Sequence, residues 1–302
     1  MKHYKHIFVV LVYKNTEVLD GFFASLEEKV VGYKVILVNS FYDEISKNSC
    51  RDYALKFDCD FIEIPNKGYG SGNNVGIKYA LDNYTFDFLI VSNSDIIVKK
   101  LDDLDQYIGK CCIIGPETVM LTGKKQNPCL GRYPALTSMY FLLCKKGYTK
   151  DAHLLITLAH VCSRLNKILT QLKQFVTRKK EIPVLAIHGS FFVMTYDAVK
   201  KIFPVFSEEM YLYNEELYLG LRAKQKEVPV IYSKNNLVNH LEGASCSGDF
   251  WKQYPHFKES FIILNRYMEE GYFDNEKTKK YSKKSYRGLR EIFKTWGGNL
   301  QE

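Results

Sequence analysis

The chain has 302 residues, of which 46% are hydrophobic and 25% charged, and its formal net charge is +8. This composition is typical of a globular protein with enough apolar material for one large core or two modest ones, and it excludes disorder as the main state. The positive charge lies in two segments, 145–180 and 277–294, which together carry +15 and leave the remainder at about −7. Since a nucleic-acid-binding protein is expected to carry its basic charge around its principal site, we expect no nucleic-acid partner.

The first apolar run, residues 7–12, is too short for the core of a signal peptide or for a membrane crossing. The eight cysteines include no C-x-x-C pair, so neither a zinc site nor a disulfide framework is predicted. These two features favour a cytoplasmic protein with reduced thiols.

Short apolar segments alternate with helical ones through the first 115 residues. This order predicts an α/β fold with a mostly parallel, doubly wound sheet, which binds ligands at the carboxyl ends of its strands. Tyr13 directly follows the first strand, and Asn39 ends the second. The predicted strands are 7–12, 34–39, 61–64 and 88–91, and the predicted helices are 17–26, 46–57 and 74–82.

The segment 66–76, which reads NKGYGSGNNVG, follows the third predicted strand. Glycine lets backbone N–H groups approach a ligand without a Cβ in the way, and asparagine side chains offer both a donor and an acceptor. We therefore predict a ligand-binding loop here, leading into a helix N-terminus at Asn74.

Asn93 and Asp95 interrupt an apolar run after the fourth predicted strand. A carboxylate at the mouth of a parallel sheet is well placed to hold a hard divalent cation, which prefers oxygen ligands. Asp95 is therefore predicted to bind Mg²⁺ or Mn²⁺.

The segment 152–176 carries apolar residues at alternating spacings of three and four, which predicts an amphipathic helix of about six turns. Three interpretations stay open: the helix packs on its own domain, forms a homodimer with a second copy, or lies on an anionic membrane surface. A basic helical tail, 251–302, repeats the apolar and basic pattern. The apolar positions are Leu154, Leu158, Val161, Leu165, Ile168, Leu172 and Phe175.

Three later motifs, 184–194, 210–217 and 238–245, join the glycine segment and Asn93-Ser94-Asp95 in one order along the chain. Together they resemble a family 2 glycosyltransferase of the rhamnosyltransferase-like group that builds bacterial surface polysaccharides. The resemblance implies a GT-A nucleotide-diphospho-sugar transferase fold over 1–250, with a nucleotide-sugar half to about residue 115 and an acceptor half after it that includes the helix at 152–176.

The same resemblance implies a metal-dependent, inverting transfer of a hexosyl or rhamnosyl group from a UDP- or dTDP-linked donor to a glycan or lipid-linked oligosaccharide. It places the enzyme at the inner face of the cytoplasmic membrane. Asp95 and His240 match the family's metal-binding positions, and Glu215-Glu216 matches its acidic pair, whose second member is the usual base. Inversion needs one base for the acceptor hydroxyl, and adjacent carboxylates raise one another's pKa. The nucleotide-sugar-binding residues are then Tyr13, Asn39, Gly70, Gly72, Asn73, Asn74, Asn93 and Gly189.

The same residues bear on three other functions. A dinucleotide-binding Rossmann domain carries G-x-G-x-x-G after its first strand, and a sugar-nucleotide-forming nucleotidyltransferase carries a glycine-rich, arginine-containing loop there. The segment 13–16, YKNT, matches neither. A non-catalytic scaffold of a polysaccharide assembly complex is disfavoured by the retained carboxylates Asp95, Glu215 and Glu216.

Overall fold

The protein is described by a computed structural model that covers residues 1–101, 103–241 and 250–274. Nine strands and eight α-helices lie in these ranges. The strands are β1 Lys2–Val12, β2 Tyr33–Ser40, β3 Asp60–Ile64, β4 Tyr84–Asn93, β5 Ile96–Lys100, β6 Ile113–Met120, β7 Glu181–Pro183, β8 Phe191–Thr195 and β9 Val230–His240. The helices are α1 Leu19–Lys29, α2 Glu44–Lys56, α3 Tyr69–Asn83, α4 Pro134–Lys150, α5 His153–Thr177, α6 Tyr196–Ile202, α7 Glu215–Gln225 and α8 Phe250–Glu269.

All strands join one sheet in the order β3-β2-β1-β4-β8-β6-β9-β5, and β7 pairs with β9. The first four strands in this order are parallel, as the alternation of strands and helices predicted. Beyond them β8 runs antiparallel to both β4 and β6, and β5 and β7 run antiparallel to β9, whereas β6 is parallel to β9. The strands β1, β2, β3, β4, β6 and β9 thus share one direction, so the sheet is mixed but mostly parallel, as predicted. Strand direction in this half depends on pairing between segments distant in the sequence, such as Ile113 with Met194 and Ile96 with His240, which local patterning does not specify.

Strand β1 forms the centre of the core. Ile7 and Val9 point to one face of the sheet and Phe8 and Val10 to the other, and all four side chains are fully buried. Burial on both faces is expected for a central parallel strand covered by helices. A third apolar cluster lies among α4, α5, α7 and α8 and includes Phe261 of α8. The segment predicted as a tail therefore begins with a helix packed on the body; its basic part, 277–294, lies outside the described residues.

The glycine segment forms a loop only over residues 66–68, and the rest of it is helical. Helix α3 begins at Tyr69, five residues before the predicted start, and Gly72 and Gly76 lie inside it facing β1. A Cβ on Gly76 would lie 2.4 Å from Val9 Cγ1, and one on Gly72 would lie 2.5 Å from Leu11 Cδ1. These glycines therefore allow close packing of helix on sheet, a requirement that depends on a strand distant in sequence.

Within the described ranges, no helix combines the length and the apolar character that crossing a membrane requires. The seven cysteines of the same ranges are free thiols.

Candidate active site

A cleft opens at the carboxyl ends of β1, β2 and β4, with about 670 Å³ of empty space including its open mouth. This edge of a doubly wound sheet is where ligands bind, since the strands end there and the loops diverge. Tyr13, Asn93 and Asp95 lie in its wall, as the sequence predicted. The complete lining is Leu11, Tyr13, Ser40, Asn66, Gly68, Tyr69, Asn93, Ser94, Asp95, Tyr211 and Leu212.

Two residues outside the predicted site, Asn66 and Tyr211, close the cleft opposite the strand ends. Asn66 Nδ2 donates to the Tyr211 hydroxyl at 3.0 Å, and the Tyr69 N–H donates to the Tyr211 carbonyl at 2.9 Å. A Cβ on Gly68 would lie 2.2 Å from that carbonyl oxygen, and the φ of Gly68 is +100°, so only glycine fits at this contact. Both Asn66 and Tyr211 belong to motifs that the sequence analysis recognised, but their contact joins segments 145 residues apart.

Asn39 lies at the end of β2 but outside the lining of the cleft, where Ser40 takes the wall position instead. The Asn39 side chain is 1% exposed, and both of its polar atoms lack a hydrogen-bond partner among the described residues. Its role in nucleotide binding stays a prediction.

Four predicted nucleotide-sugar ligands lie in the first turns of α3, buried rather than open to the cleft: Gly70, Gly72, Asn73 and Asn74. Asn74 Oδ1 accepts from the N–H groups of Val205 and Phe206, each at 3.1 Å, and its Nδ2 donates to the Phe206 carbonyl at 2.9 Å. Asn73 Nδ2 donates to the Tyr69 carbonyl. Asn74 therefore holds α3 to a neighbouring backbone segment, while Asn66, Gly68 and Tyr69 of the same glycine segment line the cleft. Binding of the nucleotide sugar by Gly70, Gly72, Asn73 and Asn74 stays a prediction.

The predicted metal pair is brought together by sheet pairing. β5 pairs with β9 so that Ile96 lies opposite His240, which places Asp95 beside the histidine. His240 Nε2 lies 3.3 Å from Asp95 Oδ1, and both side chains are largely buried. His240 Nδ1 contacts Gln126 Oε1 at 2.9 Å. An amide oxygen can only accept, so Nδ1 donates in this contact and Nε2 is the ring nitrogen that faces the carboxylate.

A bound cation could lie between the carboxylate and a deprotonated Nε2, and an oriented Nδ1–H is the usual support of a metal-binding histidine. The nearby ring of His188 lies 5.7 Å from that of His240 between centroids, and burial lowers the pKa of His188 to about 3, so it adds no positive charge. Across the described residues, no group of three or more His, Cys, Asp or Glu side chains could hold a metal by itself. The pair therefore fits a Mg²⁺ or Mn²⁺ ion that also takes oxygens from a bound diphosphate.

The acidic pair begins α7, after Asn214 in the left-handed conformation. Glu215 is 6% exposed, whereas Glu216 is partly exposed and its Oε1 accepts from the Gly189 N–H at 3.3 Å. Burial raises the pKa of both carboxyls, and the neighbouring Glu216 carboxylate raises the pKa of Glu215 further. The two carboxyls therefore titrate as a coupled pair that retains one proton to higher pH than an isolated glutamate would.

Tyr69 connects the acidic pair to the cleft. Its hydroxyl donates to the Gly189 carbonyl at 2.7 Å, while its ring lies in the cleft wall. Burial raises the pKa of Tyr69 well above its usual value, and the charges of Glu215, Glu216 and Asp95 act in the same direction. Gly189, predicted to contact the donor sugar, thus holds Tyr69 through its carbonyl and Glu216 through its N–H.

No protein-family model matches the chain. Among curated proteins, 100 residues are 28% identical to the low-salt glycan biosynthesis hexosyltransferase Agl10 of Haloferax volcanii, a match that spans 33% of this chain and 30% of that protein. Among solved structures, the chain is similar to GalNAc-T7, which was crystallised with UDP, GalNAc and Mn²⁺. The TM-score is 0.59 at 11% identity, and the match covers 96% of this chain and 54% of that one. It is also similar to S. aureus TarS, with a TM-score of 0.50, 13% identity, and coverage of 93% and 46%.

The chain thus spans about half the length of the solved structures that it matches and less than a third of the curated relative. At these identities the likeness bears on architecture, and the architecture agrees with the sheet and the cleft described above. The chain has the GT-A glycosyltransferase fold.

Proposed function

We propose that this protein transfers one sugar, with inversion, from a nucleotide-diphosphate sugar to an acceptor hydroxyl. The observation that carries the proposal is that Asp95 and Tyr69 both line one cleft. His240 and the acidic pair are not among the lining residues, but His240 lies beside Asp95, and Gly189 links Glu216 to Tyr69. Supporting it, the structurally similar GalNAc-T7 was crystallised with UDP, GalNAc and Mn²⁺, and the distant Agl10 is named as a hexosyltransferase of glycan biosynthesis.

In this proposal Glu216 is the base that takes the proton from the acceptor hydroxyl. Its carboxylate is partly exposed and fixed by the Gly189 N–H, whereas Glu215 is enclosed and its Oε1 has no hydrogen-bond partner among the described residues. A raised pKa suits a base, because a carboxyl that binds its proton more tightly is a stronger proton acceptor at neutral pH. A protonated Glu215 keeps the pair at a single negative charge.

Asp95 and His240 would hold the Mg²⁺ or Mn²⁺ ion, which when bound supplies positive charge to the departing diphosphate. The nucleotide would lie along the wall formed by Tyr13, Ser40 and Asn93, at the carboxyl ends of β1, β2 and β4. The acceptor would approach from the side of Glu216. Its identity as a lipid-linked glycan of bacterial surface polysaccharide synthesis rests on the resemblance of the sequence motifs.

The test is a thermal-shift and hydrolysis screen of UDP- and dTDP-linked sugars with Mn²⁺, Mg²⁺ or EDTA. Ligands that bind the folded state raise the melting temperature by mass action, so one donor should stabilise the protein only with the metal. Asp95→Ala should abolish both the shift and the turnover. Asp52→Ala, which removes an exposed carboxylate of α2, is the matched control and should behave as wild type.

Donor binding and turnover that persist in EDTA, or in Asp95→Ala, would overturn the metal assignment. Formation of pyrophosphate from a nucleoside triphosphate and a sugar 1-phosphate would identify the nucleotidyltransferase instead. Metal-dependent donor binding with neither hydrolysis nor transfer to any glycan acceptor would favour the scaffold.

A further inference from the structure

Helix α5 is oriented with its apolar side outward. Nine of its large hydrophobic side chains are between 38% and 78% exposed, which is the reverse of what an amphipathic helix on a protein surface normally shows. The prediction that this helix might pack its apolar stripe on its own domain is therefore wrong. The exposed residues are Leu154, Leu158, Val161, Leu165, Ile168, Leu169, Leu172, Phe175 and Val176.

The inward side of α5 is largely polar beyond its first two turns. Asn166 accepts from the Gly131 N–H at 2.8 Å and donates to Thr137 Oγ1 at 3.1 Å. Gln174 Nε2 donates to the Lys180 carbonyl at 3.0 Å, and the Thr170 hydroxyl is buried beside them. These hydrogen bonds fix the rotation of the helix about its own axis. Turning the apolar stripe inward would break them, and nothing would replace the lost partners.

At 3.6 residues per turn, the exposed stripe and the buried row 156, 159, 166, 170 and 174 lie about half a turn apart. The outward side is thus a continuous apolar surface along a helix of 25 residues. Contiguous patches of this kind on a folded protein mark a surface that binds another apolar one.

Charge decides between a second copy of the chain and a lipid bilayer. Arg164 and Lys173 are exposed at the two borders of the stripe, and the exposed run Arg178-Lys179-Lys180 follows the helix. No acidic residue occurs between residues 152 and 180. Pairing this face with itself would bring like charges together without a compensating carboxylate, whereas an anionic bilayer offers both a hydrocarbon layer and negative head groups.

A tryptophan extends the same surface. Trp251, in the first turn of α8, is 48% exposed and its ring lies 4.5 Å from that of His153 at the start of α5. Tryptophan prefers the boundary between head groups and hydrocarbon, since its ring is amphipathic. We propose that the outward face of α5, together with Trp251, docks the protein on an anionic membrane surface with the helix lying parallel to it.

The test is co-sedimentation with vesicles of phosphatidylcholine alone or mixed with phosphatidylglycerol. The wild-type protein should bind the mixed vesicles and be released by high salt, because the electrostatic part of the binding is screened. Replacing Arg178, Lys179 and Lys180 with Ser should weaken binding on the order of 10²-fold, at about fivefold for each basic residue.

A double variant, Leu158→Asp and Leu165→Asp, should abolish binding to the mixed vesicles. The matched control is Ile45→Asp with Leu55→Asp, which places the same charges on exposed apolar positions of α2 and should leave vesicle binding unchanged. All four positions are exposed, so circular dichroism should show intact folds. Donor binding and hydrolysis should be unaffected, which separates this proposal from the proposed function.

Two results would overturn the docking surface. One is a wild-type protein that ignores anionic vesicles at low salt. The other is a wild-type dimer in sedimentation velocity that the Leu158→Asp, Leu165→Asp variant converts to a monomer, since the stripe would then be a subunit interface.

Discussion

Asn74→Ala should destabilise the protein without changing the cleft. The Asn74 side chain makes three hydrogen bonds to the backbone of Val205 and Phe206, and it is 3% exposed. At about 1 kcal/mol for each hydrogen bond lost, the variant should lose about 3 kcal/mol of unfolding free energy. The true loss should be no smaller, because the truncated side chain leaves two N–H groups and one carbonyl buried without a partner.

Urea denaturation followed by circular dichroism measures this loss, and titration of the folded variant with a nucleotide diphosphate and Mn²⁺ measures the cleft. Asn73→Ala is the matched control, since its side chain is also buried but its Nδ2 makes a single hydrogen bond, to the Tyr69 carbonyl. It should cost about 1 kcal/mol. If Asn74→Ala costs no more than the control, or loses ligand affinity at unchanged stability, then Asn74 serves the ligand and our structural interpretation fails.

Three further predictions concern the chemistry of the site. Glu216→Gln should lower the rate of transfer by about 10²- to 10⁴-fold with donor binding retained, and Glu215→Gln should lower the rate less. The reverse order in steady-state kinetics would exchange the roles of the two glutamates. Burial raises the pKa of Glu215 above 4.5 in the folded state, so the unfolding free energy should fall as pH rises through the raised value. Glu215→Gln should remove this decline, as measured by urea titrations at several pH values. Gln126→Leu removes the acceptor that orients His240 and should weaken Mn²⁺ affinity about 10- to 100-fold in a thermal-shift titration with UDP; an unchanged affinity would exclude this support.

Local sequence pattern was sufficient for the first part of the fold, β1 to β4. Apolar runs separated by amphipathic segments define β1 to β4 and the helices between them, and a parallel arrangement of such units follows from the handedness and length of their connections. The same pattern located Tyr13, Asn93 and Asp95 at strand ends, where the structure places them in the cleft wall. Here the sequence signal and the site are close in the chain, so no long-range contact is needed to connect them.

The glycine segment shows where the local sequence pattern is ambiguous. Its composition is the same for a ligand-binding loop and for a helix pressed against a sheet, because both need backbone without Cβ atoms. Val9, Leu11 and Tyr211 decide between the two, since their atoms occupy the space beside Gly76, Gly72 and Gly68. Those neighbours come from other parts of the chain, so the distinction exists only in the folded protein.

Helix α5 also separates what the sequence determines from what the folded protein determines. The sequence by itself determined that residues 152–176 form an amphipathic helix, since periodicity is a property of the helix alone. It could not determine which side faces the protein. That choice depends on Gly131 and Thr137, whose polar groups bind Asn166 and so turn the apolar stripe outward. Likewise, only the pairing of β5 with β9 brings His240 to Asp95, because the two residues lie 145 positions apart and meet through the register of a sheet.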